Sequence, residues 1–158
     1  MDVCSDDMGA SSPLNNKMSL SLIIPVYNQA SFIKNTTISY YTAFLHAPQL
    51  KDFEIILVSN NCTDETPAFC RELSKEYKKI VHVDYPFKTL KGGAVIRGFQ
   101  HAKFDFLGFT DADMATRPEE FLKLVGEFHS LSVGAVIASR HATGAALTPP
   151  QPLVRRFL

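Results

Sequence analysis

Leu20-Ser21-Leu22-Ile23-Ile24-Pro25-Val26 decides the fold. Its near-continuous apolar character suits a strand covered on both faces, as in a parallel sheet. Pro25 cannot donate to a ladder, so the strand is expected to end there. Tyr27-Asn28-Gln29 reads as a turn. A helix is expected from Ala30 to about Leu45, with Phe32, Ile33, Thr36, Tyr40 and Phe44 as its inward stripe. Phe53 to Val58 is a second strand, followed by the polar loop Ser59-Asn60-Asn61-Cys62-Thr63-Asp64-Glu65. Thr66 and Pro67 offer an N-cap and a first-turn proline to a helix carrying Phe69, Leu73 and Tyr77.

Working outward, Ile80 to Val83 is a short third strand. Lys91-Gly92-Gly93 opens a helix reaching about Ala102, and Phe104 to Thr110 is a strand running into Asp111-Ala112-Asp113. Thr116 and Glu119 fit a capping box. Phe121, Leu124, Val125 and Phe128 then fall on one helical face. Gly134 to Ala138 reads as one more strand, ending at Ser139-Arg140. Strands alternating with helices predict an α/β domain, a mostly parallel sheet flanked by helices. In such folds ligands bind beyond the carboxyl ends of the strands. The polar stretches at Tyr27-Asn28, Ser59-Asn60-Asn61, Asp111 to Asp113 and Ser139-Arg140 all fall there.

The 158 residues suffice for one domain with a core. Lys plus Arg and Asp plus Glu both number 16, so net charge gives no sign of a nucleic-acid partner. No apolar run is long enough to span a bilayer. Residues 1–17 are polar, lack a signal-peptide pattern and read as a disordered tail. Cys4, Cys62 and Cys70 have no zinc spacing and read as reduced thiols, which suits the cytoplasm. The five histidines form no metal-ligating pair.

Asp111 and Asp113, two apart at a strand end, are expected to project to one side. Paired carboxylates repel unless a cation lies between them or one is protonated. Hard oxygen ligands favour Mg²⁺ or Mn²⁺. Two readings follow: a metal–diphosphate site, or an acidic loop capping the next helix. A dinucleotide fingerprint is absent, since the turn after the first strand holds no glycine, and so is a P-loop. Lys91-Gly92-Gly93 reads as a helix-entry turn or as a phosphate contact.

The blocks LSLIIPVYNQ, EIILVSNNCTDET, KGGAVIRGF and FTDADMAT, in that order, resemble the family 2 glycosyltransferases. The resemblance runs from about Leu20 to the C-terminus. Within the family, DADMATRPEE followed by Ser-Arg is most similar to the polyprenyl- and dolichyl-phosphate glucose or mannose synthases. It implies a GT-A, Rossmann-like nucleotide-sugar-binding domain over residues 18–158, incomplete at its C-terminus. It also implies that Pro25 and Tyr27 hold the base, that Gln29 stands where many relatives have glutamate, and that Asn60 replaces the usual base-reading aspartate. Val58, Lys91 and Ala112 complete the nucleotide-sugar set. Asp113 is implied as the direct metal ligand and catalytic residue, and Asp111 as a ribose or metal contact.

The implied reaction transfers a hexose from a nucleoside diphosphate sugar, UDP-glucose or GDP-mannose, to a polyprenyl phosphate, with Mg²⁺ or Mn²⁺. The acceptor phosphate is already an anion and needs no general base. Arg140 is implied as its catalytic holder, with Arg155 or Arg156 as a second arginine. Those last two also suit an ordinary basic helix start or a membrane surface. The protein is thus expected in the cytoplasm, peripheral on the cytosolic face of a membrane. Transfer to a saccharide hydroxyl and non-catalytic nucleotide-sugar binding are the competing readings.

Overall fold

The computed structural model describes residues 17–131 and 133–139. Its elements alternate as expected: β1 Met18–Val26, α1 Ile33–Leu45, β2 Leu50–Asn60, α2 Thr66–Glu76, β3 Ile80–Tyr85, α3 Lys91–Gln100, β4 Phe106–Phe109 and α4 Pro118–Leu131. The four strands form one parallel sheet in the order β3-β2-β1-β4. β1 and β2 have the most buried strand patterns, which explains their unbroken apolar runs.

Strand alternation sorts the core into two faces. Ile23, Ile56 and Val58 cluster with Ala94 of α3, with Phe99, Val83 and Tyr85 packed around them. On the opposite face α1 sets Tyr41 and Phe44 against Phe53 of β2, at ring centroid distances of 5.5 and 5.4 Å. Phe44 and Tyr40 also meet Phe121, the first α4 ring, at 5.9 and 5.8 Å. The aromatic pairs add to area burial by about 0.5–1.5 kcal/mol each. A buried polar network ties the other ends of the strands together. Ser21 Oγ donates to Glu54 Oε1 at 2.6 Å, and the backbone N–H groups of Lys103 and Phe104 donate to Glu54 Oε1 and Ser21 Oγ.

Several boundaries differ from the sequence reading. Pro25 does not end β1, because the strand continues to Val26 and Pro25 pairs in register with Val58. Ile23 O accepts from Thr110 N, so by alternation the nitrogen of Pro25 faces the β4 side, where the ladder already ends at Ile23–Phe109. The missing donor therefore breaks nothing. α1 begins at Ile33, and Phe32 is exposed rather than in the inward stripe. Gln29 O instead accepts the N–H groups of Phe32 and Ile33 in an entry turn. β2 runs on through Ser59 and Asn60, which were expected in a loop. On α2 the buried residues are Thr66, Cys70 and Leu73, so Cys70 takes the place expected for Phe69.

The chain divides into two units, one ending at Phe121 and one beginning at Leu122. In the second, Val125 is buried and Leu124 and Phe128 are half-buried, as the helical spacing predicts. Residues 133–139 form no strand, contrary to the expectation for Gly134 to Ala138, and Ile137 is exposed. A short apolar run becomes a strand only where a neighbour supplies a ladder, so composition alone overstates it. The expected tail lies outside the described residues as far as residue 16. Among the described residues no helix is long and apolar enough to cross a membrane.

α3 lies on the sheet through Gly98. A Cβ built there would stand 2.5 Å from Ile23 Cγ2 and 2.8 Å from Ile23 Cγ1, inside a fully buried side chain. Gly98→Ala is therefore expected to push α3 off β1 and to lower stability by about 1–3 kcal/mol despite alanine's better helix propensity. Urea unfolding measures this, and a variant as stable as the parent would refute the close approach.

Candidate active site

Parallel strands point all their carboxyl ends to one edge, and the β1–β4 boundary is where the strand order reverses. Ligand crevices in open α/β sheets form at such a switch point. A cavity of about 380 Å³ opens there. Pro25, Val26, Tyr27 and Gln29 line it from the end of β1, and Asn60 from the end of β2. Lys88, Thr89 and Leu90 come from the β3–α3 loop, Lys91 and Ala94 from α3, and Asp111, Ala112 and Asp113 from beyond β4.

The first two loops are stitched together. Asn28 has φ 49°, and its carboxamide makes a reciprocal pair with Thr63, donating from Nδ2 to Oγ1 at 3.1 Å and accepting Thr63 N at Oδ1 at 2.8 Å. Asparagine tolerates this left-handed backbone better than most residues. Thr66, expected as an N-cap, lies inside α2, and its hydroxyl accepts Gln29 N at 2.8 Å. Asp64 bridges the two loops: its two oxygens accept Thr66 N and Ala30 N. Desolvation raises the Asp64 carboxyl, but the Thr66 hydroxyl, together with the backbone N–H groups of Thr66 and Ala30, outweighs it and holds the group below the usual carboxylate range.

The acidic turn is held from α1. Thr36 Oγ1 donates to Ala112 O at 2.7 Å. One helical turn on, Tyr40 OH donates to Thr116 O at 2.9 Å and lies 3.1 Å from Thr110 Oγ1. Burial pushes the Tyr40 phenol up; Thr110 opposes this, and Glu119 and Asp111 reinforce it, so it remains a proton donor at neutral pH. Ala112 is buried between two solvent-facing carboxylates. Asp111 pairs with Lys91, and Asp113 Oδ1 accepts Ala115 N at 2.9 Å across a turn in which Met114 has φ 61°. The two carboxylates thus stand beyond the strand end rather than on it, and each already has a partner. Among the described residues no group of three or more His, Cys, Asp or Glu side chains is placed to hold a metal ion.

Ser59 departs from the expected polar edge. It is fully buried on the face opposite Asn60, where Oγ donates to Asp84 Oδ1 at 2.6 Å and lies 2.8 Å from His82 Nε2. The serine sits between histidine and aspartate, so this is a β2–β3 tie and not a nucleophile with its base. Cys62 and Cys70 are free thiols, and burial pushes Cys70 up to about 12.

Residues 21–155 match the family described as Glycosyl transferase family 2. The chain belongs to that family. It is similar to glycosyltransferase AglD of Haloferax volcanii, at 34% identity over 124 residues, 77% of this chain and 19% of that one. The dolichyl-phosphate beta-glucosyltransferase ALG5A of Trichomonas vaginalis is 29% identical over 146 residues, 88% of this chain and 44% of that one. Among solved structures, the mannosyltransferase PcManGT of Pyrobaculum calidifontis, in complex with GDP-Man and Mn2+, has a TM-score of 0.64 at 22% identity, covering 79% of this chain and 36% of that one. The last likeness shows a GT-A fold. The chain spans less than half the length of each of these relatives.

Of the family 2 residues expected from sequence, Pro25, Tyr27, Gln29, Asn60, Lys91, Asp111, Ala112 and Asp113 share the cavity. Val58 does not line it and lies fully buried beneath, in the core with Ala94. Arg140, Arg155 and Arg156 lie outside the described residues. Sequence reasoning missed Lys88, Thr89 and Leu90, a loop whose only signal is its position after β3.

Two outcomes are expected. Tyr40→Phe keeps the ring contacts but leaves Thr116 O without its donor, and should cost about 1–3 kcal/mol in chemical denaturation. Burial lowers the His82 imidazole below its ordinary value; Asp84 opposes this and Arg71 adds to it. The unfolded chain therefore binds a proton at higher pH than the folded one. The stabilisation is full above about pH 6.5 and is lost as pH falls from there towards the folded value. His82→Gln should flatten that acid slope in urea midpoints, and an unchanged slope would show that His82 does not titrate in this way.

Proposed function

We propose that the chain carries the nucleotide-sugar site of a hexosyltransferase acting on a polyprenyl phosphate. The observation that carries it is the convergence, at the switch point, of an aromatic ring, two lysines, a helix start and two carboxylates around one cavity. Tyr27 is 53% exposed and free to stack on a base. Lys88, Lys91 and the first turn of α3 suit a diphosphate, since helix N-termini attract anions. A Cβ at Gly92 would meet nothing within 4 Å, so the backbone there is open to an approaching ligand. The names of AglD, ALG5A and PcManGT support the reaction class.

The oxygen-only donor set of Asp111 and Asp113 fits Mg²⁺ or Mn²⁺, which complete their shells with phosphate and water oxygens. Asp111 and Asp113 would hold the ion, and the positive charge supplied there would offset the charge growing on the leaving diphosphate. The chain's own groups do the rest. Tyr27, Pro25 and Gln29 seat the nucleoside, and the lysines hold the diphosphate. An acceptor phosphate oxygen attacks the anomeric carbon as the bond from that carbon to the diphosphate oxygen breaks, with no proton to remove. Arg140, Arg155 and Arg156 supply the cations for the acceptor phosphate. A lipid acceptor brings the protein to a membrane surface, on its cytosolic face.

The Lys91–Asp111 pair favours a second reading, in which the cavity binds the nucleotide sugar without a metal and without transfer. Calorimetry with UDP, UDP-glucose and GDP-mannose, with and without Mn²⁺, separates the two. Under the first reading Mn²⁺ tightens binding, and Asp113→Ala removes that gain, weakening affinity by about tenfold or more only when the metal is present. Binding indifferent to both Mn²⁺ and Asp113 would leave the metal-free reading. Product formed from a polyprenyl phosphate would establish transfer.

A further inference from the structure

Asn60 is only 6% exposed, and its carboxamide is engaged at both ends by one residue. Its Oδ1 accepts Thr89 N at 3.0 Å, and its Nδ2 donates to Thr89 O. The side chain thus reads the peptide groups of a residue 29 positions away as a strand edge would. Its neighbour adds to the tie, with Asn61 N donating to Tyr85 O at 2.8 Å. On the other side of Thr89, a Cβ built on Gly93 would come within 3.0 Å of Thr89 Cβ. Thr89 is therefore clasped between the end of β2 and the first turn of α3. The loop it anchors is otherwise exposed, with Phe87 76% and Leu90 83% accessible, and it carries Lys88 into the cavity wall beside Lys91.

We infer that Asn60 is a positioning residue, an amide clip that acts through Thr89 to set the 88–91 wall of the nucleotide cavity, rather than a reader of the base. This rests on the nucleotide-sugar reading of that cavity. The chemistry requires an amide at this position. A carboxylate could accept from Thr89 N, but it would turn lone pairs towards Thr89 O. Asparagine here is thus a different device from a base-reading aspartate. One Nδ2 hydrogen and one Oδ1 lone pair are spent on Thr89 and the residue is buried, so on this inference discrimination between bases falls to other groups in the wall.

The test compares the full chain with Asn60→Ala and Asn60→Asp, using calorimetry with UDP, GDP and ADP and amide hydrogen exchange at Thr89. The core amide of Ile56 serves as the folding control. The clip predicts slow Thr89 exchange in the parent and fast exchange in Asn60→Ala, with Ile56 unchanged. It also predicts that Asn60→Ala and Asn60→Asp each weaken all three nucleotides by about tenfold, the loss expected from two ordinary hydrogen bonds. The ratios between nucleotides should stay as in the parent. A change in the UDP-to-GDP ratio would show that Asn60 touches the base and would overturn the inference. So would parent-like binding by Asn60→Asp, or fast Thr89 exchange in the parent. A parent chain that binds none of the three overturns the nucleotide reading and the wall's role in it, while Thr89 exchange still decides whether the clip exists.

Discussion

Two hydroxyls on one helix decide where the acidic turn lies. Thr36 and Tyr40 are four residues apart, so they stack on the same face of α1, and they donate to the carbonyls of Ala112 and Thr116. Left without donors, buried carbonyls would cost about 1–3 kcal/mol each. Docking of α1 therefore satisfies both carbonyls of the turn. The docking comes from Ile33, Tyr40 and Phe44, all fully or almost fully buried, with the Phe44 ring against Phe53 and Phe121. The same helix stripe that builds the core thus places the carboxylates. Asp111 and Asp113 then face out because Ala112 faces in.

The rest of the site follows from strand direction. A parallel sheet collects its carboxyl ends at one edge, and the return of the chain from β3 across to β4 leaves a crevice beyond the carboxyl ends of the paired strands β1 and β4. α3 makes that return, and Gly98 lets it lie directly on Ile23. Its first turn then comes up beside the end of β1. In this way a packing requirement at one end of α3 fixes where the Lys91 end stands.

The sequence made the alternation of elements legible because buried parallel strands have a signature that survives without an alignment: Leu20 to Val26 and Phe53 to Val58 are apolar on both faces. The gathering of Tyr27, Asn60, Lys91 and Asp111 to Asp113 at one edge was legible for the same reason, since it needs only strand order and direction. What stayed hidden was decided by partners distant in sequence. Ser59 and Asn60 look alike in a polar run, yet strand alternation sends one into a buried tie with Asp84 and the other into the cavity wall. Thr66 has the composition of an N-cap, but its hydroxyl is used by Gln29 across the loops. Gly134 to Ala138 has the composition of a strand, but a ladder needs a neighbour. Lys88 to Leu90 carries no motif because its role depends on the backbone of Thr89.

The charge balance of the cavity bears on both functional readings. Lys88 and Lys91 offset Asp111 and Asp113, so the wall is close to neutral as it stands. The Lys91–Asp111 pair is half exposed, and such surface pairs are worth at most about 1 kcal/mol. An arriving diphosphate would compete for Lys91 at little cost and leave Asp111 with unpaired charge. A divalent cation is the species that would balance a diphosphate and two carboxylates together. Under the transferase reading, metal and nucleotide therefore bind more tightly together than apart. Under the metal-free reading, Lys91 must keep Asp111 and the diphosphate must rely on Lys88 and the start of α3 alone. The sign of the coupling between Mn²⁺ and nucleotide thus follows from which partner Lys91 holds.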